Sequence, residues 1–158
     1  MASSLFLDLD QIDLTHVLYD AAAVEAVNPQ RGHMRQVDGI IYADQPTNTV
    51  IGFKNVRDDE FWVPGHIPGR PLMPGVLMIE AAAQLSGFMM KTWRLDADVF
   101  LGFIGCDNVK FRGQVVPGDR LLLLGRETNF GKRRFIADVQ GVVNGKLVFE
   151  ATVTGMPI

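Results

Sequence analysis

Hydrophobic positions in this chain follow two periods. From Arg35 onward, β-branched and apolar residues often alternate with polar ones, the two-residue period of strands with one buried face. The segments that read this way are Arg35–Tyr42, Asn48–Val56, Phe100–Phe111, Arg120–Asn129, Arg133–Val143 and Lys146–Gly155. Turn chemistry separates several of them: Asn144-Gly145 reads as a two-residue hairpin loop, Gly131 supports another turn, and Pro117-Gly118-Asp119 a third. Between Val76 and Met90 the pattern changes, because the only polar side chains there are Glu80, Gln84 and Ser86. A helix over this stretch is apolar nearly all round, too short to span a bilayer, and expected to be buried on every side. Pro74 suits its first helical position, where a missing N–H costs nothing. Upstream, Leu5 to Val27 reads as an irregular lead and then a helix, with Asp13 or Thr15 as N-cap and Asn28-Pro29 as the stop.

One long buried helix with one antiparallel sheet makes an α+β domain. One sheet face covers only half of such a helix, so a second copy of the chain is the expected cover. Composition agrees with a single domain: 158 residues, 47% hydrophobic and 9% aromatic, supply a core without covalent staples. The single cysteine, Cys106, is expected as a buried strand residue; it excludes an internal disulfide and a cysteine-based zinc site and fits a reducing compartment. A net charge of −3 argues against general nucleic-acid binding. The start, MASSLFLDLDQID, has neither a basic region nor an apolar run of signal-peptide length, so a soluble, cytoplasmic protein is expected. No repeat, metal-binding spacing or phosphate-binding loop is visible.

Candidate chemistry concentrates around the apolar helix. Glu80 is an expensive guest among apolar neighbours, and Gln84 shares its helix face four residues on. His66 lies in GHIPGRP, a loop made rigid by glycine and proline, and the helix start offers the free backbone N–H groups of Gly75 and Val76. A base, an acid and an oxyanion donor are the parts needed to remove a proton beside a carbonyl and expel a β-leaving group. His16 and His33 lie outside the apolar motif and read as structural or exposed.

The run GHIPGRPLMPGVLMIEAAAQ resembles the active-site motif of the 3-hydroxyacyl-acyl-carrier-protein dehydratases, the FabZ group, read as GHFPxxPxMPGVLxxEAxAQ. A sister group, the dehydratase–isomerases, carries Asp at the acid position, so Glu80 favours the plain dehydratase. The resemblance continues in PQRGHMRQVDGI from Pro29 and in NVKFRGQVVPGD from Asn108, and covers roughly Asp20 to Val153. Residues 1–19 fall outside it as an N-terminal extension, with 20–158 as one domain. The resemblance implies a hot-dog fold, an antiparallel sheet wrapped around one long central helix, in a homodimer with sites at the seam; assembly to a trimer of dimers stays open. It further implies dehydration of a (3R)-3-hydroxyacyl group on acyl carrier protein to the trans-2-enoyl form in fatty acid biosynthesis, without a cofactor. His66 is then the base, Glu80 the acid, and the Gly75 N–H, with Val76, the oxyanion donor. Phe61, Trp62, Ile67, Leu72, Met78 and Gln84 are candidates for an acyl tunnel. Lys110, Arg112, Lys132, Arg133 and Arg134 are candidates for docking an acidic carrier protein. The alternatives are another hot-dog thioester enzyme, a thioesterase or a coenzyme A hydratase, and a non-catalytic acyl-binding paralogue.

Overall fold

The alternating segments pair into one six-stranded antiparallel sheet in the computed structural model, which describes residues 4–96 and 98–158. The strands are β1 (Gly39–Asp44), β2 (Thr49–Asn55), β3 (Leu101–Phe111), β4 (Arg120–Phe130), β5 (Phe135–Val143) and β6 (Lys146–Pro157), in the spatial order β1-β2-β4-β5-β6-β3. Register runs through Val50↔Gly125, Leu124↔Gln140, Val139↔Ala151 and Cys106↔Val153. β1 begins at Gly39 rather than Arg35, because residues 35 and 38 are held by side chains: Arg35 bridges Glu25 and Asp38, and Asp38 accepts the Asn55 N–H at 2.8 Å. β5 begins at Phe135 because Gly131 and Arg134 close the tight turn before it, the Gly131 N–H donating to the Arg134 carbonyl at 2.9 Å. Asn144 and Gly145 have φ of 49° and 75°, the left-handed pair that a type I′ hairpin requires. Cys106 lies on β3 as the alternation predicts, but on an edge strand it is only half-buried.

The long helix, α2, spans Gly75–Trp93 and lies across the concave face of the sheet. Pro74 is its N-cap with an extended ψ of 132°, not its first helical residue, because the carbonyl of Pro74 already accepts the Leu77 N–H. Glycines on neighbouring strands set how close the helix comes: a Cβ at Gly52 or Gly125 would stand 2.7 or 3.0 Å from the Leu85 side chain. Leu85, Phe88, Met89 and Met78 pack there against Val50, Leu121, Leu123, Val139 and Phe149. The helix is not buried all round in the single chain. Val76 is 70% exposed, and Glu80, Ala83, Gly87 and Lys91, one helical stripe, stay only half-buried where the sheet ends.

A shorter helix, α1 (Ala21–Val27), is capped by Asp20, whose carboxylate accepts the Ala23 N–H at 2.9 Å. Asp13 and Thr15 do not cap it; they close a local turn upstream, because residues 18 and 19 are tied to Ile40 by backbone bonds before the helix begins. The lead covers the convex sheet face. Leu5, Phe6, Leu7, Leu9, Ile12 and Leu14 pack on a second core of Ile41, Ile51, Phe53, Leu122, Leu124 and Val142. The guanidinium of Arg126 lies 4.1 Å from the Phe6 ring, and Arg120 donates to the Leu14 carbonyl. No helix among the described residues is long and apolar enough to cross a membrane.

Candidate active site

His66 is exposed in the connection between β2 and α2, and two hydrogen bonds hold it. Its N–H donates to the Trp62 carbonyl at 2.9 Å, and Nδ1 lies 2.7 Å from the Leu72 carbonyl. A carbonyl can only accept, so Nδ1 carries the proton and Nε2 keeps the free lone pair. In the neutral ring this leaves Nε2 as the acceptor.

Glu80 is half-buried on α2, and Gln84 fixes it. The Gln84 Oε1 accepts the Gln36 N–H at 2.7 Å, which assigns the amide; its NH₂ then donates to the Met34 carbonyl at 2.6 Å and to Glu80 Oε1 at 2.8 Å. With Oε1 engaged as an acceptor, a carboxyl proton is directed to Oε2. Asn28 ties α1 into the same cluster by donating to the Gln84 carbonyl at 2.9 Å. Gln84 is thus a positioning residue. Its helical spacing from Glu80 was visible in the sequence, but its partners at 34 and 36 were not.

No side chain caps the start of α2, so the N–H groups of Gly75 and Val76 remain available at the positive helix end. Gly75 lets the Phe111 ring lie close, because a Cβ there would stand 2.7 Å from Cε1 of Phe111 and push the ring aside.

A pocket of about 180 Å³ runs beside Glu80, lined among others by Ala83, Gln84, Gly87, Leu101 and Phe103. His66 does not line it, and of the tunnel candidates only Gln84 does. Trp62 and Met78 are core residues at 3% exposure each, whereas Phe61 and Ile67 face solvent and Leu72 is half-buried. In the single chain the motif's apolar residues lie either in the core or along an exposed loop. The wall of this pocket is built from small helix residues and the start of β3. A larger open trough, about 470 Å³, lies on the convex face between the N-terminal lead and Arg126, Asp138 and Thr152, away from Glu80.

The five basic candidates do not form one patch. Lys110 and Arg112 stand at the end of β3 that meets the helix start through Phe111, and Arg112 is paired with Glu150. Lys132, Arg133 and Arg134 form the β4–β5 turn beside Phe135, which pairs with Gly155 and so with Phe103 at the other end of β3. At ~3.3 Å per strand residue the two groups are roughly 20 Å apart. Among the described residues, no cluster of three or more His, Cys, Asp or Glu is arranged to hold a metal ion.

An antiparallel sheet wrapped around a long helix, with a glutamine-held carboxyl on the helix and an imidazole in the loop before it, is a hot-dog fold. The FabA-like domain model matches residues 28–152, and the chain belongs to that family. It is 35% identical over 140 residues to the 3-hydroxyacyl-[acyl-carrier-protein] dehydratase FabZ of Streptococcus equi subsp. zooepidemicus, covering 87% of this chain and 96% of that one. The Streptococcus gordonii enzyme of the same name is 34% identical over the same shares. Against the bifunctional enzyme LpxC/FabZ of Chlorobaculum tepidum the identity is 35% over 87% of this chain, which spans only 29% of that longer protein. Among solved structures, the dehydratase heterocomplex ApeI:P from Xenorhabdus doucetiae superposes with a TM-score of 0.72 at 17% identity, over 85% of this chain and 90% of that one. The E. coli PaaI protein superposes at 0.59 and 17%, over 74% and 80%. At such identities these two speak for the fold alone.

Proposed function

We propose that the protein removes water from a (3R)-3-hydroxyacyl thioester on acyl carrier protein, giving the trans-2-enoyl thioester. The family match and the named relatives support the reaction. The observation that carries the assignment of the groups is that each proton-transfer side chain is held in one hydrogen-bonding state, His66 by Leu72 and Glu80 by Gln84. Nε2 of His66 takes the C2 proton. The Gly75 N–H, with Val76, holds the thioester oxygen as negative charge develops on it. Glu80 delivers the Oε2 proton to the departing 3-hydroxyl, which leaves as water. The imidazolium and carboxylate that remain exchange a proton through solvent and restore the starting state. The pocket along Glu80, Ala83 and Gly87 takes the acyl chain. Carrier docking belongs to the Lys110 and Arg112 end, where the helix start and hence the thioester lie.

His66 does not line the pocket of Glu80 within one chain, and among the described residues the edge strand β3 has no strand on its outer side, with Phe103, Ile104 and Phe111 about half exposed. Pairing of β3 with β3 of a second copy would continue the sheet, cover the open helix stripe and let His66 of one protomer serve Glu80 of its partner. His66→Ala and Glu80→Gln should each lower turnover by at least ~10²-fold with little loss of fold. Refolding an equal mixture of the two variants should then give about half mixed dimers, each with one intact site, and return about a quarter of the wild-type site number. No recovery, with subunit exchange confirmed by mass, would remove the shared site. Equal rates on matched carrier-bound and coenzyme A-bound substrates would remove the carrier.

A further inference from the structure

Between β2 and α2 the chain runs from Val56 to Pro74 without helix or strand, and Gly65–Pro71 within it are exposed. Backbone bonds pin both ends: the Val56 N–H donates to the Asp119 carbonyl at 2.9 Å, and the Met73 N–H to the Val115 carbonyl at 2.8 Å. The fixed points between them are Glu60 and Trp62, at 4% and 3% exposure. Glu60 meets Lys54 of β2 at 3.1 Å, with the two side chains only 3% and 2% exposed, an ion pair shut away from water between the strand and the loop that follows it. The Arg57 N–H adds a longer bond of 3.4 Å to the same carboxylate oxygen.

Such a pair is poorly explained by stability. Desolvating two charges offsets most of their attraction, and apolar replacements of similar volume are often neutral or stabilising. What the pair does hold is a turn that ends at His66. The Glu60 carbonyl accepts the Val63 N–H at 3.0 Å, and the Trp62 carbonyl accepts the His66 N–H at 2.9 Å and the Gly65 N–H at 3.3 Å. Val63 is half-buried and residues 64–71 are exposed, so the Trp62 carbonyl, together with the Leu72 carbonyl at Nδ1, sets the place of the imidazole.

We propose that the buried Lys54–Glu60 ion pair is a positioning device for His66, locking the turn from Glu60 to His66 against the sheet so that Nε2 stands at its working position. Neither side chain touches substrate. The inference rests on the reading of His66 as the base, and its test separates the two. Lys54→Met and Glu60→Leu each leave one buried charge without a partner and should lower thermal stability. The double variant Lys54→Met/Glu60→Leu should return to near the wild-type melting temperature, yet keep a kcat about 10–100-fold down with KM within about twofold, since misplacement of about 1 Å is enough for such a loss. In a His66→Ala background the same double exchange should leave the residual rate unchanged, because its effect runs through His66. A stable double variant with wild-type kcat overturns the proposal, as does an equal further loss in the His66→Ala background. If the apolar pair fails to fold, Lys54→Met/Glu60→Gln, which keeps an acceptor for the Arg57 N–H, carries the same expectations. A His66→Ala enzyme retaining most of its rate overturns the base assignment itself, and the positioning role with it.

Discussion

Replacing Gln84 by leucine removes hydrogen bonds while changing side-chain volume little. Three partners are affected, and their surroundings decide the cost. The Gln36 N–H belongs to a residue at 0% exposure and loses its acceptor outright, so this orphaned donor costs about 1–3 kcal/mol. Met34 is 48% exposed, so its carbonyl can turn to water, and half-buried Glu80 can do the same. Those two losses together come to about 1 kcal/mol. A total near 3 kcal/mol lowers the melting temperature of a domain of this size by about 6–12 °C. Glu80, released from its donor, should turn in the pocket and cost kcat at least about tenfold, with a smaller effect on KM. Thermal denaturation and initial rates on a 3-hydroxyacyl carrier substrate read both effects. Gln84→Glu keeps the acceptor for the Gln36 N–H but turns a carboxyl oxygen toward Glu80 Oε1 and the Met34 carbonyl in a buried place, so its stability should be no better than that of the leucine variant and its activity as low. A Gln84→Leu protein melting within 2 °C of wild type with unchanged kcat would refute the role of Gln84 as the holder of Glu80.

Gly75→Ala keeps the backbone N–H but sets a Cβ 2.7 Å from Phe111, so activity should fall and Gly75→Ala/Phe111→Leu should regain much of it; steady-state kcat of the two variants decides. Burial, and secondarily Asp107, holds the Cys106 thiol above its usual pKa, which leaves less thiolate at neutral pH. Alkylation of Cys106 should therefore be several-fold slower than that of free cysteine at pH 7 and rise only at higher pH, and a rate equal to free cysteine would count against this. Deleting residues 1–14 uncovers the convex core of Ile51 and Leu124; at ~1 kcal/mol for each of the apolar side chains lost, the melting temperature should drop by 10 °C or more and binding of a hydrophobic dye should rise.

The sheet was legible in the sequence because its alternation is local. Ile51 and Phe53 face the convex core while Val50 and Lys54 face the helix side, and this follows from the two-residue period alone. What the period cannot show is what covers each face. The lead from Leu5 to Leu14 has no helical or strand period, and its apolar residues find their partners on strands far along the chain, so its packing on Leu122 and Leu124 has no local sign. The ends of β1 and the cap of α1 were misplaced for a related reason. Arg35 and Asp38 read as strand residues until Glu25 and Asn55 claim them, and Asp13 reads as a cap until Ile40 ties down residues 18 and 19.

At the candidate site, the residues proposed to move protons stand out in the sequence, and the residues that hold them do not. His66 and Glu80 stand out because a rigid loop and an apolar helix are unusual places for them. Gln36 reaches Gln84 across 48 positions and Met34 across 50, and no spacing rule spans such distances. The helix pattern also hid its own opening. Ala83 and Gly87 count as apolar in any periodicity, yet they lie on the stripe that the sheet leaves half-covered, and their small size is what leaves room beside Glu80. A larger apolar residue at either position would preserve the pattern and fill the pocket. The same reading of the helix as buried all round is therefore compatible with a closed core or with an acyl site, and only the placement of the stripe relative to the sheet edge separates them.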